Sequence, residues 1–167
     1  MSLGLILGIG IPSVIIISTA FYIYKSYNEL TYFVIKVDKQ ASNIEAHLKK
    51  KIDLIPALVE VVKGYAKHEK GTFQEITNLR SQWTKADSKT EKVKTANQIE
   101  SLLSKLLVIQ ENYPQLKADK RFQDIQRNMR EVEKELVRER KNYNEKVRRY
   151  NVRVRLFPRS IVAKMFK

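Results

Sequence analysis

The chain has no cysteine. No disulfide, no thiolate metal site and no lipid-modified N-terminal cysteine is therefore open to it. That composition fits a reducing compartment without requiring one. Histidine is nearly absent: His47 and His68 are the only two. His68-Glu69 begins like a zinc-binding HExxH, but the second histidine position is held by Thr72. A zinc site of the usual type is thus not expected, and each histidine reads as a helix-surface or turn residue. There is no glycine-rich phosphate loop and no GxSxG elbow. After residue 24 the chain holds only Gly64, Gly71, Pro56, Pro114 and Pro158. With so few breakers and no sustained period-two alternation, the sequence reads as helix nearly throughout.

Charge is missing from one stretch entirely. Leu3–Tyr24 carries none, and the next residue is Lys25. At 1.5 Å per residue it spans roughly 33 Å, about the thickness of a bilayer's hydrocarbon core. Ser18-Thr19-Ala20 resembles a signal-peptidase site, but Met1–Leu7 has no basic n-region and the apolar run continues through Phe21–Tyr24. An uncleaved anchor is the better reading, with the aromatics as an interfacial belt. Lys25, Lys36, Lys39 and Lys49–Lys51 then place the following domain in the cytoplasm and the short N-terminus outside the cell membrane. Gly4 and Gly8 form one GxxxG pair, which reads first as small lipid-facing residues.

The fold expected is all-α: an N-terminal transmembrane helix, then an antiparallel up-and-down bundle of about four helices, two of them long. The boundaries are 1–25 for the anchor, 26–157 for the bundle and 158–167 for a basic-apolar tail. The first long helix continues from the anchor on a seam through Tyr27, Leu30, Val34, Val37, Ala41, Ile44, Leu48, Ile52, Ile55, Val59, Val62 and Ala66. The seam steps by three and four, with a stutter at Leu48–Ile52. Pro56 lies inside it and predicts a kink rather than a break. A short helix follows over Thr72–Trp83. The third, Lys89–Asn112, opens on the capping box Ser88–Glu91 and ends at Pro114. Asp119 N-caps the fourth, whose seam runs from Phe122 to Phe157 and carries Arg140 at its own stutter. Glu131, Glu133 and Glu135, interleaved with Arg130 and Lys134, read as a salt-bridged surface.

The net charge is +14. It concentrates at one end: Arg138–Lys167 holds eleven cationic residues against two glutamates, a net of +9. A charge run is usually a solvated face. An antiparallel fourth helix would instead return this end to the inner leaflet. Arg148, Arg149, Arg153, Arg155, Arg159 and Lys164 are then the candidates for anionic phospholipid or partner contact, and the tail from Phe157 could lie in the interface. Nucleic acid is disfavoured for want of a recognition motif. No catalytic residue, cofactor or metal is expected.

Three motifs, in order, resemble the LemA family: YNEL (Tyr27–Leu30) with LKKKIDLIPALVEVVKGYAKHE (Leu48–Glu69), YPQLKADKRFQDIQ (Tyr113–Gln126), and RERKNYNEKVRRYNVRVRLFPRSIVAKMF (Arg138–Phe166). Ser42, where the family often has Trp, and Tyr32–Ile35, in place of a more basic stretch, depart from the pattern. The resemblance implies a single-pass membrane protein with a helical bundle, an outward N-terminus and no known catalytic activity. It implies an accessory role, with a membrane protein partner such as a metalloprotease of the heat-shock type. Of the motif residues, Asp53, Glu60, Lys63, Tyr65, His68 and Glu69 admit a binding reading. The plainer reading is that Asp53, Pro56 and Gly64 shape a kink and a helix end. The function expected is a non-enzymatic membrane-anchored scaffold or adaptor; the alternative is a module that binds anionic lipid through its basic C-terminal helix.

Overall fold

A computed structural model describes residues 9–166. All regular elements among them are helical: α1 (Ile11–Asp53), α2 (Ile55–Tyr65), α3 (Lys70–Lys85), α4 (Lys89–Ile109), a single 3-10 turn (Gln110–Asn112), α5 (Pro114–Ala118), α6 (Lys120–Arg155) and α7 (Arg159–Met165). Two of the expected starts rest on short-range chemistry and stand as read. Ser88 Oγ accepts from the Glu91 amide at 3.1 Å. Asp119 Oδ1 accepts from the Phe122 amide at 3.1 Å and caps α6. Pro56 divides α1 from α2. Having no N–H, it leaves the Ile52 carbonyl without its usual donor, and the Leu54 amide tightens onto the Lys51 carbonyl at 3.2 Å. Leu54 itself keeps helical angles (φ −79°, ψ −16°). The interruption is therefore one residue wide. The short helices α5 and α7 were not foreseen.

The chain forms two compact units. The first comprises 1–43 and 139–167, the second Ile44–Arg138. In the first unit the two long helices run antiparallel. Gln40 Nε2 donates to the Glu139 carboxylate, and Arg153 Nε donates to Glu29 Oε1 at 3.1 Å. Leu30 of the expected α1 seam is buried, but Ser26 and Gln40, which lie off that seam, are buried too, whereas the expected Tyr27 and Val34 are exposed. A one-residue displacement occurs on α6, where Glu139 is buried and Arg140, the expected seam residue, is exposed. A straight helix repeats every 3.6 residues, so a strict 3.5-residue seam drifts off the contact line unless the helices supercoil.

In the second unit the core is a continuous apolar cluster. Leu58, Val62, Ile76, Leu106 and Leu116 have no exposed surface, and Phe122 is 1% exposed. Helix α2 supplies Ile55, Leu58, Val59 and Val62; α3 supplies Phe73, Ile76, Leu79 and Trp83; α4 supplies Ala96, Ile99, Leu102, Leu103 and Leu106. Each set repeats at helical spacing, which is why one face of each helix is buried. Val93, expected on the α4 stripe, is exposed.

The expected anchor is not reproduced as a membrane span. Among the described residues no helix is long and apolar enough to cross a membrane. Residues 3–8 of the expected segment lie outside the described residues. The apolar part of α1 that is described, Ile11–Tyr24, measures only about 21 Å before Lys25, shorter than the ~20 residues a span requires.

Candidate functional site

The family motif residues fall in the second unit, and they do not converge on one point. Asp53 is exposed at the end of α1, with Oδ1 3.9 Å from Arg80 Nη2. Pro56 opens α2. Gly64 and Tyr65 close α2 and, with Glu60, Val61, Asp119 and Arg121, line a cleft of about 430 Å³. There the Tyr65 hydroxyl donates to Asp119 Oδ2 at 2.9 Å. This bond joins the end of the α2 motif to the capping residue of α6. It raises the Tyr65 phenol above its ordinary value. The Asp119 carboxyl is lowered, first by the Phe122 amide and then by Tyr65. Both effects favour the form in which a neutral phenol faces an ionised carboxylate.

His68 and Lys63 belong to a larger groove of about 770 Å³, lined by Lys63, Lys67, His68, Lys70, Phe73, Gln74 and Thr77. It forms because the chain reverses between the end of α2 and the start of α3. Glu69 stands at the N-cap of α3, and its side chain makes no capping bond. The groove lining contains no carboxylate.

The remaining polar contacts in this unit connect helices. Lys51, the last of a lysine triplet, is buried, and its ammonium donates to Glu100 Oε2 at 2.5 Å and Glu133 Oε2 at 2.7 Å. His47 Nδ1 lies 2.9 Å from Glu135 Oε2, with only 17% of its side chain exposed. Glu133 and Glu135 therefore reach across to α1, correcting the expectation of a surface ladder within α6. His47 is correspondingly half-buried. Neither the His47–Glu135 nor the Lys51–Glu133 pairing is legible in the sequence, because 82 or more residues separate the partners in the chain. Among the described residues no cluster of three or more His, Asp or Glu is placed to hold a metal ion.

The basic C-terminal candidates lie in the first unit, and most are already paired. Arg148 and Arg149 both bind Glu145, which they hold down at a pKa of about 2. Arg153 and Arg159 both bind Glu29, and the Arg153 guanidinium lies 3.9 Å over the Phe33 ring. Arg155 and Lys164 have no ion-pair partner among the described residues. Near them α7 exposes Ile161 and Met165, and the approach to it exposes Leu156 and Phe157. Phe166 closes back on Tyr27, ring centroids 4.9 Å apart. Within this unit the basic end thus returns to the end of the apolar segment of α1.

A family model described as the LemA family matches residues 40–167. The chain belongs to the LemA family. The match begins after YNEL and after the apolar segment, so the resemblance at those residues is not part of it. The protein LemA of Metamycoplasma hominis is 28% identical over 137 residues, covering 81% of this chain. The chain spans 63% of the length of that LemA relative.

Proposed function

We propose that this LemA-family chain is a single-pass, membrane-anchored scaffold or adaptor without catalytic activity, its short N-terminus outside the cell and its helical units in the cytoplasm. The observation that carries the anchoring is the exposure of the apolar N-terminal part of α1: Ile11, Val14, Ile15, Ile16, Ile17, Phe21 and Tyr24 are each at least half exposed. An apolar helix without a polar face suits a bilayer, not water. With the uncharged residues 3–10 before it, the segment reaches the required length. The helical units then offer their surface to a membrane protein partner. The family resemblance points to a metalloprotease, and no residue here is assigned chemistry. Chemical crosslinking in intact membranes, followed by pull-down of the full chain, tests the adaptor role. A reproducible membrane protein partner supports it; recovery of the chain alone in repeated trials refutes it. Digestion of the helical units by protease added outside intact cells would overturn the orientation.

A second reading concerns lipid. Arg155 and Lys164, unpaired among the described residues, stand with exposed Leu156, Phe157, Ile161 and Met165. Cationic groups beside exposed apolar side chains are the composition of an interfacial segment. The Phe166–Tyr27 contact sets this segment three residues beyond Tyr24, where the apolar run ends. In this reading the anchor and α7 share one leaflet.

A further inference from the structure

The groove between the end of α2 and α3 has no part in the anchoring or scaffold reading, and its chemistry is one-sided. Lys63, Lys67 and Lys70 all line it, together with His68. No carboxylate lines it, and among the described residues none of the three lysines has an ion-pair partner. Lys63 Nζ is instead 5.9 Å from the centroid of Phe73, a ring that is 2% exposed and forms the floor. All three lysines are exposed, and like charges gathered around one groove repel one another. Their repulsion is relieved by a ligand that brings several negative charges into a small volume.

We propose that this groove binds a phosphate-bearing anion. A carboxylate offers one charge, while a phosphomonoester carries about 1.5–2 negative charges at pH 7 on a compact group with three acceptor oxygens. Lysine is a compact point-charge donor well suited to that shape, and the groove presents three of them. Gln74 and His68, whose side chains carry further N–H donors, also line the groove. The volume, about 770 Å³, accommodates a group larger than a single phosphate. The phosphate belongs either to a soluble compound or to a lipid headgroup, and the recognition chemistry is the same for both.

The test uses the full chain in phosphatidylcholine nanodiscs. Calorimetry with inorganic pyrophosphate reads the soluble source. Flotation with added vesicles containing phosphatidic acid, against vesicles of phosphatidylcholine alone, reads the headgroup source. Saturable binding in either arm supports the proposal, and the arm that responds identifies the source. Each of Lys63→Gln, Lys67→Gln and Lys70→Gln is expected to weaken binding about fivefold, as for one lysine at an anionic surface. The triple variant loses it. Lys67→Arg, which keeps the charge, retains it, and Lys105→Gln on α4, away from the groove, leaves it unchanged. Absence of binding in both arms overturns the proposal, as does binding that the triple variant leaves intact. A poly-glutamate peptide that binds more tightly than pyrophosphate would overturn the phosphate assignment in favour of an acidic protein segment. None of these outcomes depends on whether a membrane partner is found.

Discussion

The Tyr65 hydroxyl donates a 2.9 Å hydrogen bond to Asp119, whose other carboxylate oxygen accepts from the Phe122 amide. One side chain thus fixes the C-terminal end of α2 and starts α6. Two of the densest sequence motifs in the chain meet at this point, 54 residues apart. Their density has a structural explanation in this contact, without any appeal to a reaction.

Removing that contact has a defined signature. Tyr65→Phe lowers Tm by a few degrees, and Asp119→Ala lowers it further because the helix cap is lost as well. The double variant is no less stable than Asp119→Ala, since Tyr65 has nothing left to bond. Thermal melts of the three variants in detergent check this, and strictly additive losses would contradict it.

The same pair sets a pH response. The Asp119 pKa is depressed in the folded chain, so its contribution is present above the unfolded carboxylate range and is lost as pH falls through the folded value. Tyr65 is raised, so its contribution holds below about pH 10, the ordinary phenol value, and is lost as pH rises through the folded value. Glu145 behaves like Asp119, falling from 4.5 to about 2 beside Arg148 and Arg149, but its exposure and screening by salt make its effect on stability small. Carboxyl-carbon NMR titration is expected to give a midpoint near 2 for Glu145. Arg148→Gln and Arg149→Gln each move it back toward 4.5.

Lys51 is the charged residue whose loss should matter most. It is buried between two glutamates that are themselves half exposed. Lys51→Ala leaves both acids facing a vacated space and is expected to cost about 2–4 kcal/mol, somewhat below the range for a fully buried pair. Lys51→Met keeps the packing of the stem and costs less, about 1–2 kcal/mol. Its exposed neighbours in the triplet, Lys49 and Lys50, should tolerate Ala within about 0.5 kcal/mol. Denaturant melts of the four variants distinguish Lys51 from its neighbours. Equal effects across the triplet would show that the burial does not govern stability.

Leu106 and Val108 provide the corresponding contrast for the apolar core. Leu106 is fully buried and Val108 is 65% exposed. Leu106→Ala should cost roughly 2–5 kcal/mol, whereas Val108→Ala stays within about 0.5 kcal/mol. At about 2–4 °C per kcal/mol for a chain of this size, the first is an unmistakable drop in Tm.

What the sequence displays and what it hides divide along chain distance. The caps at Ser88 and Asp119 were legible because each spans three residues, and the stripe Ile99, Leu103 and Leu106 because its helix is regular. The partners of Lys51 and His47 were not, because charge alone does not say which face of a neighbouring helix it will meet. The α1 seam is a residue out near Tyr27 and Ala41, and the α6 seam holds at Phe122, Met129 and Leu136 but is a residue out at Arg140, where a 3.5-residue count departs from a 3.6-residue helix. That small phase error exchanged Arg140 for Glu139 as the buried charge. The groove beside Phe73 is hidden in the sequence for a different reason. Lys63, Lys67 and Lys70 read as ordinary solvated charges until the fold brings the end of α2 and the start of α3 around one groove.

The lipid reading of α7 can be examined residue by residue, because a chain without cysteine accepts one introduced label at a time. Ile161 and Met165 are exposed beside Lys164, while Lys141 and Asn144 are exposed on α6 within the same unit. If α7 lies in the interface, Ile161→Cys and Met165→Cys should react slowly with a membrane-impermeant maleimide in nanodiscs containing anionic lipid. Lys141→Cys and Asn144→Cys should react at the rate of a free thiol. Detergent should abolish the difference. Arg155→Gln with Lys164→Gln should weaken the protection, each charge contributing about 1 kcal/mol at an anionic leaflet, and raised salt should mimic the substitution. Four thiols reacting at one rate in nanodiscs would leave α7 as a solvated helix whose apolar residues await a protein partner.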